Sequence, residues 1–211
     1  MEFGVEGQLG FVSLKKKLSI KVAESNLSNL RELAGRMKTI SKNNFKRKYG
    51  NLLGLLKVEA QVAAITTLAQ YYDPPLTCLT FQDFQLVPVI EEFEDILGLS
   101  VKGKVSYKYS GQHTLIVTLA GILKVHPTEL ESKMITKGNS KGISQGYLEW
   151  RLWILVEEGF GETFMDVVAL TIYGTMFFPN MENIIDHITV NVFVAYKNHL
   201  ESIVNAILAY V

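Results

Sequence analysis

The sequence predicts an all-α fold, a mainly helical bundle with one small β-hairpin near residues 78–87. Apolar residues recur at three- and four-residue spacings along most of the 211-residue chain, which is the period of a helix packed on one face. Connections between these stretches are short, and the sequence lacks the strand–helix alternation that builds a parallel sheet. Prolines at positions 74, 75 and 88 bracket the one stretch with a clear two-residue alternation.

Three helices are predicted before the first prolines. The first follows the cap-like Ser25 or Asn26, and the second, over residues 45–56, is weakened by Gly50 and Gly54. The third covers residues 58–72 and has the most regular apolar face. The apolar positions are Leu27, Leu30, Leu33, Ala34 and Met37 in the first helix, and Val62, Ile65, Leu68, Ala69 and Tyr72 in the third.

The hairpin lies between Asp73-Pro74-Pro75, which must end the preceding helix near Tyr72, and Pro88. Its apolar residues alternate with polar ones around a turn at residues 82–83 and suit two very short, half-buried strands; they are Leu79, Phe81, Phe84 and Leu86. Pro88 suits the first position of the next helix, and Gly98 is the expected C-cap. The acids that favour the N-terminal dipole of this helix are Glu91, Glu92, Glu94 and Asp95.

The second half of the chain continues the helical pattern. Residues 102–111 are predicted as a loop or a short extended piece. Residues 114–125 are predicted as a helix, with a strand as the alternative because β-branched residues dominate the start, and Pro127 opens a helix that ends at Met134. Three glycines at a spacing of four predict a loop over residues 137–146. Helices over residues 144–159, 162–178, 182–196 and 199–210 complete the bundle.

Composition is that of a folded globular protein, since 48% of the residues are apolar, 20% are charged and the net charge is zero. The single cysteine, Cys78, cannot form an internal disulfide, and no secretory signal opens the sequence, so we expect an intracellular, reducing compartment. The longest charge-free apolar run covers residues 167–180, short of the roughly 20 residues that a membrane-spanning helix needs. We therefore expect no membrane anchor.

Charge is strongly segregated along the chain. Residues 1–57 contain twelve basic residues (Lys or Arg) and four acidic ones, whereas residues 58–99 contain no basic residue and seven acidic ones. Residues 100–151 contain eight basic and three acidic residues, and residues 152–211 contain one basic and seven acidic residues. These blocks could simply pair across the fold. Alternatively, the first block is a basic arm that binds nucleic acid or carries a nuclear import signal. It contains Lys38 and Lys42 beside the candidate nucleic-acid-binding residues Lys15, Lys16, Lys17, Lys46, Arg47 and Lys48.

Two further segments have a functional and a structural interpretation. Residues 115–134 have the helix, turn and helix of a DNA-reading helix-turn-helix. The exposed positions of the second helix are mostly acidic, however, which favours a packed helical corner; they include Thr128, Glu129, Glu131 and Ser132. Residues 136–146 carry glycines and lysines that could hold phosphate. They lack the Lys-Ser/Thr pair that follows the last glycine of a P-loop, so a structural loop is favoured.

Catalytic patterns are absent from the sequence. The four histidines have no metal-ligand spacing with one another or with Cys78, which is most simply a small buried apolar residue. The acids at the start of the helix after Pro88 are explained by its dipole. We therefore expect a protein that is not an enzyme, with no catalytic residue, no cofactor and no metal.

Five segments occur in an order that is typical of one protein family. They are FKRKYGNLLGLLKV (residues 45–58), the Asp-Pro-Pro segment, FQDFQLVPVIEEFEDILGL (81–99), MITKGNSKGI (134–143) and ALTIYGTMFFPN (169–180). Over roughly residues 44–191 the chain resembles the plant mobile domain family, and more closely its legume-type, DUF7745-like relatives of transposon origin. The resemblance implies a basic N-terminal helical extension over residues 1–43 and a helical domain over residues 44–211, truncated at its C-terminus. Some plant mobile domains are labelled aminotransferase-like, but no lysine here is set up to hold pyridoxal phosphate.

The C-terminal third is expected to supply the core and a partner surface. Most of its aromatic residues must be buried: Tyr147, Trp150, Trp153, Phe160, Phe164, Tyr173, Phe177 and Phe178. Residues 182–211 are apolar around much of each helix, so we expect a protein partner or a second copy to cover some of them. We expect a non-catalytic interaction or scaffold module of a transposon-derived nuclear plant protein. The alternative is a nucleic-acid-binding module that uses the basic arm and the corner at residues 115–134.

Overall fold

A computed structural model describes residues 25–108, 116–138, 140–159, 161–179, 181–199 and 201–210. These residues form eleven α-helices and two three-stranded antiparallel sheets. The mainly helical architecture is confirmed. The prediction of a single hairpin is wrong, because strands of two to five residues, some of them rich in glycine or fully buried, leave little trace in local periodicity.

The first three helices are α1 (Ser28–Arg36), α2 (Thr39–Tyr49) and α3 (Leu52–Leu55). The helix predicted over residues 45–56 is therefore two helices, which meet at Gly50. Gly50 has a positive φ of 66°, and a Cβ there would lie 2.1 Å from the carbonyl oxygen of Leu97. Only glycine permits this close approach.

The proline-bracketed region forms the first sheet. Helix α4 (Val62–Leu68) and a 3₁₀ turn (Ala69–Tyr71) lead into β1 (Tyr72–Asp73), β2 (Cys78–Thr80) and β3 (Gln85–Leu86), which pair in that order. The predicted hairpin is β2 and β3, and β1 is an unpredicted third strand. Helix α5 (Ile90–Leu97) begins two residues after Pro88 and ends at Gly98, whose left-handed conformation confirms the expected cap.

Helix α6 (Ile116–Leu123) and helix α7 (Pro127–Ser132) form the predicted helical corner. Within the described residues the helix alternative for this region is therefore confirmed over the strand. Pro127 occupies the first turn of α7, where its missing N–H costs nothing.

The second sheet corrects the loop predicted over residues 137–146. Strands β4 (Met134–Lys137) and β5 (Ser140–Ser144) form a hairpin, and β6 (Ile184–Asp186) pairs with the other edge of β5. Gly142 permits this pairing, because a Cβ there would lie 2.4 Å from the carbonyl oxygen of Ile185. The three glycines indicated a loop, whereas one of them is required where two strands approach closely.

Four helices complete the chain: α8 (Gln145–Glu157), α9 (Glu162–Ile172, continued by a π-helical turn over Tyr173–Phe177), α10 (His187–His199) and α11 (Ile203–Tyr210). Nine of the eleven residues of α9 are buried, so α9 is the centre of the core. Leu30 and Leu33 of α1 belong to the same core, on the N-terminal side of the boundary expected at residues 43–44. Most of the aliphatic residues of α10 and α11 are also inside it, namely Val190, Val192, Ile203, Val204 and Ile207.

Candidate interaction surfaces

The most unusual surface covers residues 58–96, which we call the apolar lobe. Helix α4 buries none of its seven residues, although its apolar positions are as regular as the sequence predicts. Thirteen of the nineteen large apolar side chains that are exposed among the described residues belong to the lobe: Val58, Val62, Ile65, Leu68, Tyr71, Tyr72, Leu76, Phe84, Leu86, Val87, Val89, Ile90 and Ile96. Exposed large apolar side chains concentrated in one segment of the chain are typical of a binding region.

The first sheet gives the lobe an ordered outer face. Leu79 lies directly opposite Tyr72 on one side and Leu86 on the other, so these three side chains form a row across the sheet, the sheet row. Tyr72 is 41% exposed, Leu86 is 50% exposed and Leu79 is half-buried between them. Cys78 points to the opposite face and is buried, as the sequence predicts.

Stacked rings stabilise the edge of this sheet. The ring of Phe81 lies 4.6 Å from that of Tyr71 and 4.7 Å from that of Phe84, measured between centroids. The Phe81 amide also donates to the Phe84 carbonyl oxygen at 2.9 Å, which closes the turn between β2 and β3. The sheet row is therefore supported by its own neighbours before any partner binds.

The lobe carries charge of one sign. Residues 58–101 contain seven acids and no Lys or Arg. Two of these acids accept hydrogen bonds from backbone amides. The Glu92 carboxylate accepts from the Val89 amide at 3.4 Å, and the Glu94 carboxylate accepts from the Val101 amide at 2.5 Å. The described residues form four ion pairs, and none of these pairs includes an acid of the lobe.

A second surface, the basic groove, lies between α1, α2 and α3. It is a cavity of about 330 Å³ with an apolar floor that includes Phe45 and a rim that includes four cationic residues, namely Arg31, Lys42, Lys46 and Lys57. Arg31 is fixed by its own bonds, because its Nε donates to the Leu56 carbonyl oxygen at 2.6 Å. Lys42 and Lys46 are exposed and lie four residues apart on one side of α2, and the exposed Lys38 directly precedes the helix.

The sequence-predicted basic residues have different surroundings. Lys15, Lys16 and Lys17 lie outside the described residues. Lys46 and Arg47 are exposed, and Arg47 donates to the Asn44 side chain at 3.4 Å.

Lys48 is instead part of a buried charge cluster. Its Nζ lies 2.8 Å from Oδ1 of Asp166, which is 1% exposed, and 2.7 Å from the carboxylate of Glu162. Lys197 donates to the other Asp166 oxygen, and the Tyr49 hydroxyl donates to Oδ1 at 2.5 Å. The cluster therefore joins α2, α9 and α10.

Burial and pairing determine the ionisation of this cluster. The hydrogen bond from the Lys48 ammonium lowers the pKa of the Glu162 carboxyl, and burial raises the pKa of the Tyr49 hydroxyl. Burial also lowers the pKa of Lys197, and the neighbouring Lys48 ammonium adds to that effect. Asp166 is the anion that lies between the two ammonium groups. Sequence reasoning missed this role, although an acid in the apolar part of a helix is a signal that a buried cation is nearby.

Tyr173, the residue directly after α9, is fully buried beside this cluster. Its hydroxyl has no hydrogen-bond partner among the described residues. Burial raises its pKa, and three aromatic rings surround it edge-on, those of Phe177, Phe193 and Tyr196. The side chain contributes to packing at the centre of the core.

The helical corner of α6 and α7 is fixed on α8. Arg151 donates to the carbonyl oxygens of Leu123 and Lys124, each at 3.2 Å, and so caps the end of α6. The Tyr147 hydroxyl donates to the Glu129 carboxylate at 2.8 Å. These bonds direct the first turn of α7 towards the body of the protein.

Neither a metal-binding cluster nor a membrane-spanning helix occurs among the described residues. No three His, Cys, Asp or Glu side chains lie close enough together there to hold a metal ion. None of the helices in the same part of the chain has the length and apolar character to cross a membrane.

Comparison with known proteins identifies the family. The family model described as "Domain of unknown function (DUF7745)" matches residues 30–211, a longer stretch than the resemblance seen in the sequence motifs. Neither the curated proteins nor the solved structures include a match to the chain. The match covers most of the chain, so the protein belongs to the DUF7745 family.

Proposed function

We propose that this protein is a non-catalytic interaction module of a transposon-derived plant protein that works in the nucleus. The observation that carries the proposal is the apolar lobe, whose thirteen exposed large apolar residues fall within 39 positions. Exposing such a surface to water is unfavourable by about 25 cal/mol per Å² of apolar area, so a partner that covers it gains that free energy. The resemblance of the motifs to plant mobile domains supports the host and the compartment.

The buried cluster supports a structural role for the most unusual ionisable groups. Both oxygens of Asp166 are bonded to the chain's own donors, and the carboxylate is 1% exposed. Because both carboxylate oxygens already accept from the chain's own donors, the proposal gives Asp166 a structural role. No cofactor enters the proposal.

Photo-crosslinking tests the proposal directly. A photoreactive residue at Leu86 should capture a protein in plant nuclear extract, because Leu86 lies in the sheet row and is 50% exposed. The matched control is the same residue at Val117, which is 65% exposed on α6, outside the lobe. Equal capture at both positions, or none at Leu86, would reject the lobe as the interaction surface.

The basic groove favours a second candidate function, nucleic-acid binding. Lys42 and Lys46, one turn apart on α2, could contact successive phosphates, together with Lys57 on the same rim. The corner at residues 115–134 supports this candidate less well, since Tyr147 holds Glu129 of α7 at 2.8 Å and the exposed residues of α7 include no cation.

Charge substitution tests nucleic-acid binding without disturbing the fold. Deleting the whole basic segment, residues 1–48, would also remove the core residues Leu30, Leu33 and Phe45. The double substitution Lys42→Gln with Lys46→Gln removes charge and leaves the core intact. If the groove binds DNA, this variant should lower the affinity and reduce the slope of log affinity against log salt by about 2. The control, Lys133→Gln with Lys137→Gln, removes the same charge elsewhere. Equal effects of the two pairs would reject the groove.

A further inference from the structure

We infer that the partner of the apolar lobe is a positively charged amphipathic segment of another protein, which lies on the sheet row with its apolar side. This inference rests on the proposed function, since it names the chemistry of the partner that the lobe would take.

The shape of the sheet row suits a segment with apolar residues on one side. The row crosses three strands, and neighbouring strands are about 4.8 Å apart, so Tyr72 and Leu86 are separated by about 10 Å. Val87 continues the exposed apolar surface beyond β3. A short helix or strand with a few apolar side chains on one face spans that distance.

The acidic charge of the lobe favours Lys and Arg on the polar side of the partner segment. Five of its acids are exposed, and no Lys or Arg occurs between Lys57 and Lys102 to compensate them; they are Glu59, Asp83, Glu91, Glu92 and Asp95. A segment rich in Lys or Arg is attracted to this surface at long range, whereas an acidic segment is repelled. Charge therefore sets the partner's specificity, and the apolar row provides the contact area.

A symmetric dimer through the lobe is disfavoured by the same charges. In a two-fold dimer the same patch contacts itself, so the acids of one copy would face the acids of the other. Like charges that face each other across an interface weaken it. A segment of opposite charge has no such penalty.

Synthetic peptides test the inference on the full-length chain. A fifteen-residue peptide with leucines at helical spacing and lysines elsewhere is the probe, and peptides with glutamate in place of lysine, or serine in place of leucine, are its controls. Fluorescence anisotropy should show binding of the Lys/Leu peptide only, with an affinity that falls at least about tenfold between 0.05 M and 0.5 M salt, as charge pairing at a surface requires.

Variants locate the binding site. Leu86→Ser should weaken the Lys/Leu peptide about tenfold, the loss that follows from about 1.4 kcal/mol of buried apolar contact. Glu91→Gln with Glu92→Gln should weaken it and flatten the salt dependence, and Val117→Ser should leave it unchanged. All these side chains are exposed, and circular dichroism confirms that each variant is folded.

Four outcomes would overturn the inference. Binding of the peptide that has glutamate in place of lysine, or no effect of Glu91→Gln with Glu92→Gln, would show that charge does not select the partner. The proposed interaction module would still be tested separately by crosslinking at Leu86. If light scattering shows that the protein is a dimer and that the Leu86→Ser variant is a monomer, the lobe is covered by a second copy of the chain. Tighter peptide binding by Lys15→Ser, Lys16→Ser and Lys17→Ser together would assign it to the chain's own basic residues.

Discussion

The three adjacent basic residues of α2 show how position on a helix separates roles that composition cannot. Lys48 lies next to Tyr49 and three residues after Phe45, both fully buried, so the helix directs it towards the core. Lys46 and Arg47 lie on the outer side. The charge run groups these three residues together, but only the helical register distinguishes the cation that pairs with Asp166 from the two surface cations.

Replacing Asp166 with alanine should destabilise the protein. The substitution leaves Lys48 and Lys197 without their shared anion, and because their side chains are 31% and 21% exposed the loss should be about 1–3 kcal/mol, less than for a fully buried pair. Urea unfolding followed by circular dichroism measures the loss. Glu162→Gln is the matched control, because its side chain is 70% exposed and its pair with Lys48 contributes at most about 1 kcal/mol. Equal losses in the two variants would contradict the buried role of Asp166.

Glu162 should make stability depend on pH at the acidic end. Its pKa in the folded protein is below the ordinary value of 4.5, so the unfolded chain binds its proton first as the pH falls. The stabilisation is therefore complete above pH 4.5 and is lost as the pH falls through the lowered pKa. Unfolding midpoints at about pH 6 and about pH 3 should differ less in Glu162→Gln than in the natural protein. An unchanged difference would mean that Lys48 and Glu162 do not pair in solution.

At the scale of elements, the sequence predicts helices better than strands. The helices around α8, α9 and the corner of α6 and α7 follow from local periodicity and prolines, because their hydrogen bonds join near neighbours. The sequence predicts a helix over residues 182–196, whereas residues 184–186 form strand β6. Its partner β5 lies about forty residues earlier in the chain, and its three residues are all buried. Buried strands have no polar alternation, so the pattern was ambiguous.

The same limit applies to the candidate surface. The apolar face of α4 and the acids of α5 were both predicted from the sequence. Periodicity shows that a helix has an apolar face, but it does not show which element covers that face. The exposure of Val62, Ile65 and Leu68 therefore became visible only in the fold.

Gly142→Ala should destabilise the second sheet. The new Cβ would lie 2.4 Å from the Ile185 carbonyl oxygen and 2.7 Å from the Ile184 side chain, so β5 and β6 must separate, at a cost of about 1–3 kcal/mol. Gly121→Ala is the control: it meets no atom within 4 Å in α6 and should stabilise that helix by up to about 1 kcal/mol. Thermal unfolding compares the two. A neutral Gly142→Ala would show that the strands are less close than described.

At the scale of the whole molecule, burial is unevenly distributed. Helix α9 is almost entirely buried at the centre, whereas α4 and the first sheet contribute one fully buried residue, Cys78. The family match covers both α9 and the segment of α4 and the first sheet, so the weakly buried segment is part of the family's domain. A firm core that carries a lightly packed lobe suits a module whose surface is completed by binding.

Hydrogen exchange should reveal this difference directly. Amides of α4 and of β1 to β3 should exchange well before those of α9, because local opening exposes them without disrupting the core. Mass spectrometry of exchanged peptides measures the order. If a partner covers the lobe, its addition should slow exchange in residues 62–86 and leave α9 unchanged. Equal protection of the two regions in the free protein would contradict the unequal packing.

The late position of β6 has a consequence for synthesis on the ribosome. The hairpin of β4 and β5 can form as soon as residue 144 has emerged, but Ile143 lacks its cross-strand neighbour Ile185 until about forty more residues are made. During that interval β5 presents an edge of unpaired backbone N–H and C=O groups, of the kind that pairs with foreign strands. Translation past residue 186 is thus the step that closes the edge, and nascent chains stalled before it should depend most on chaperones.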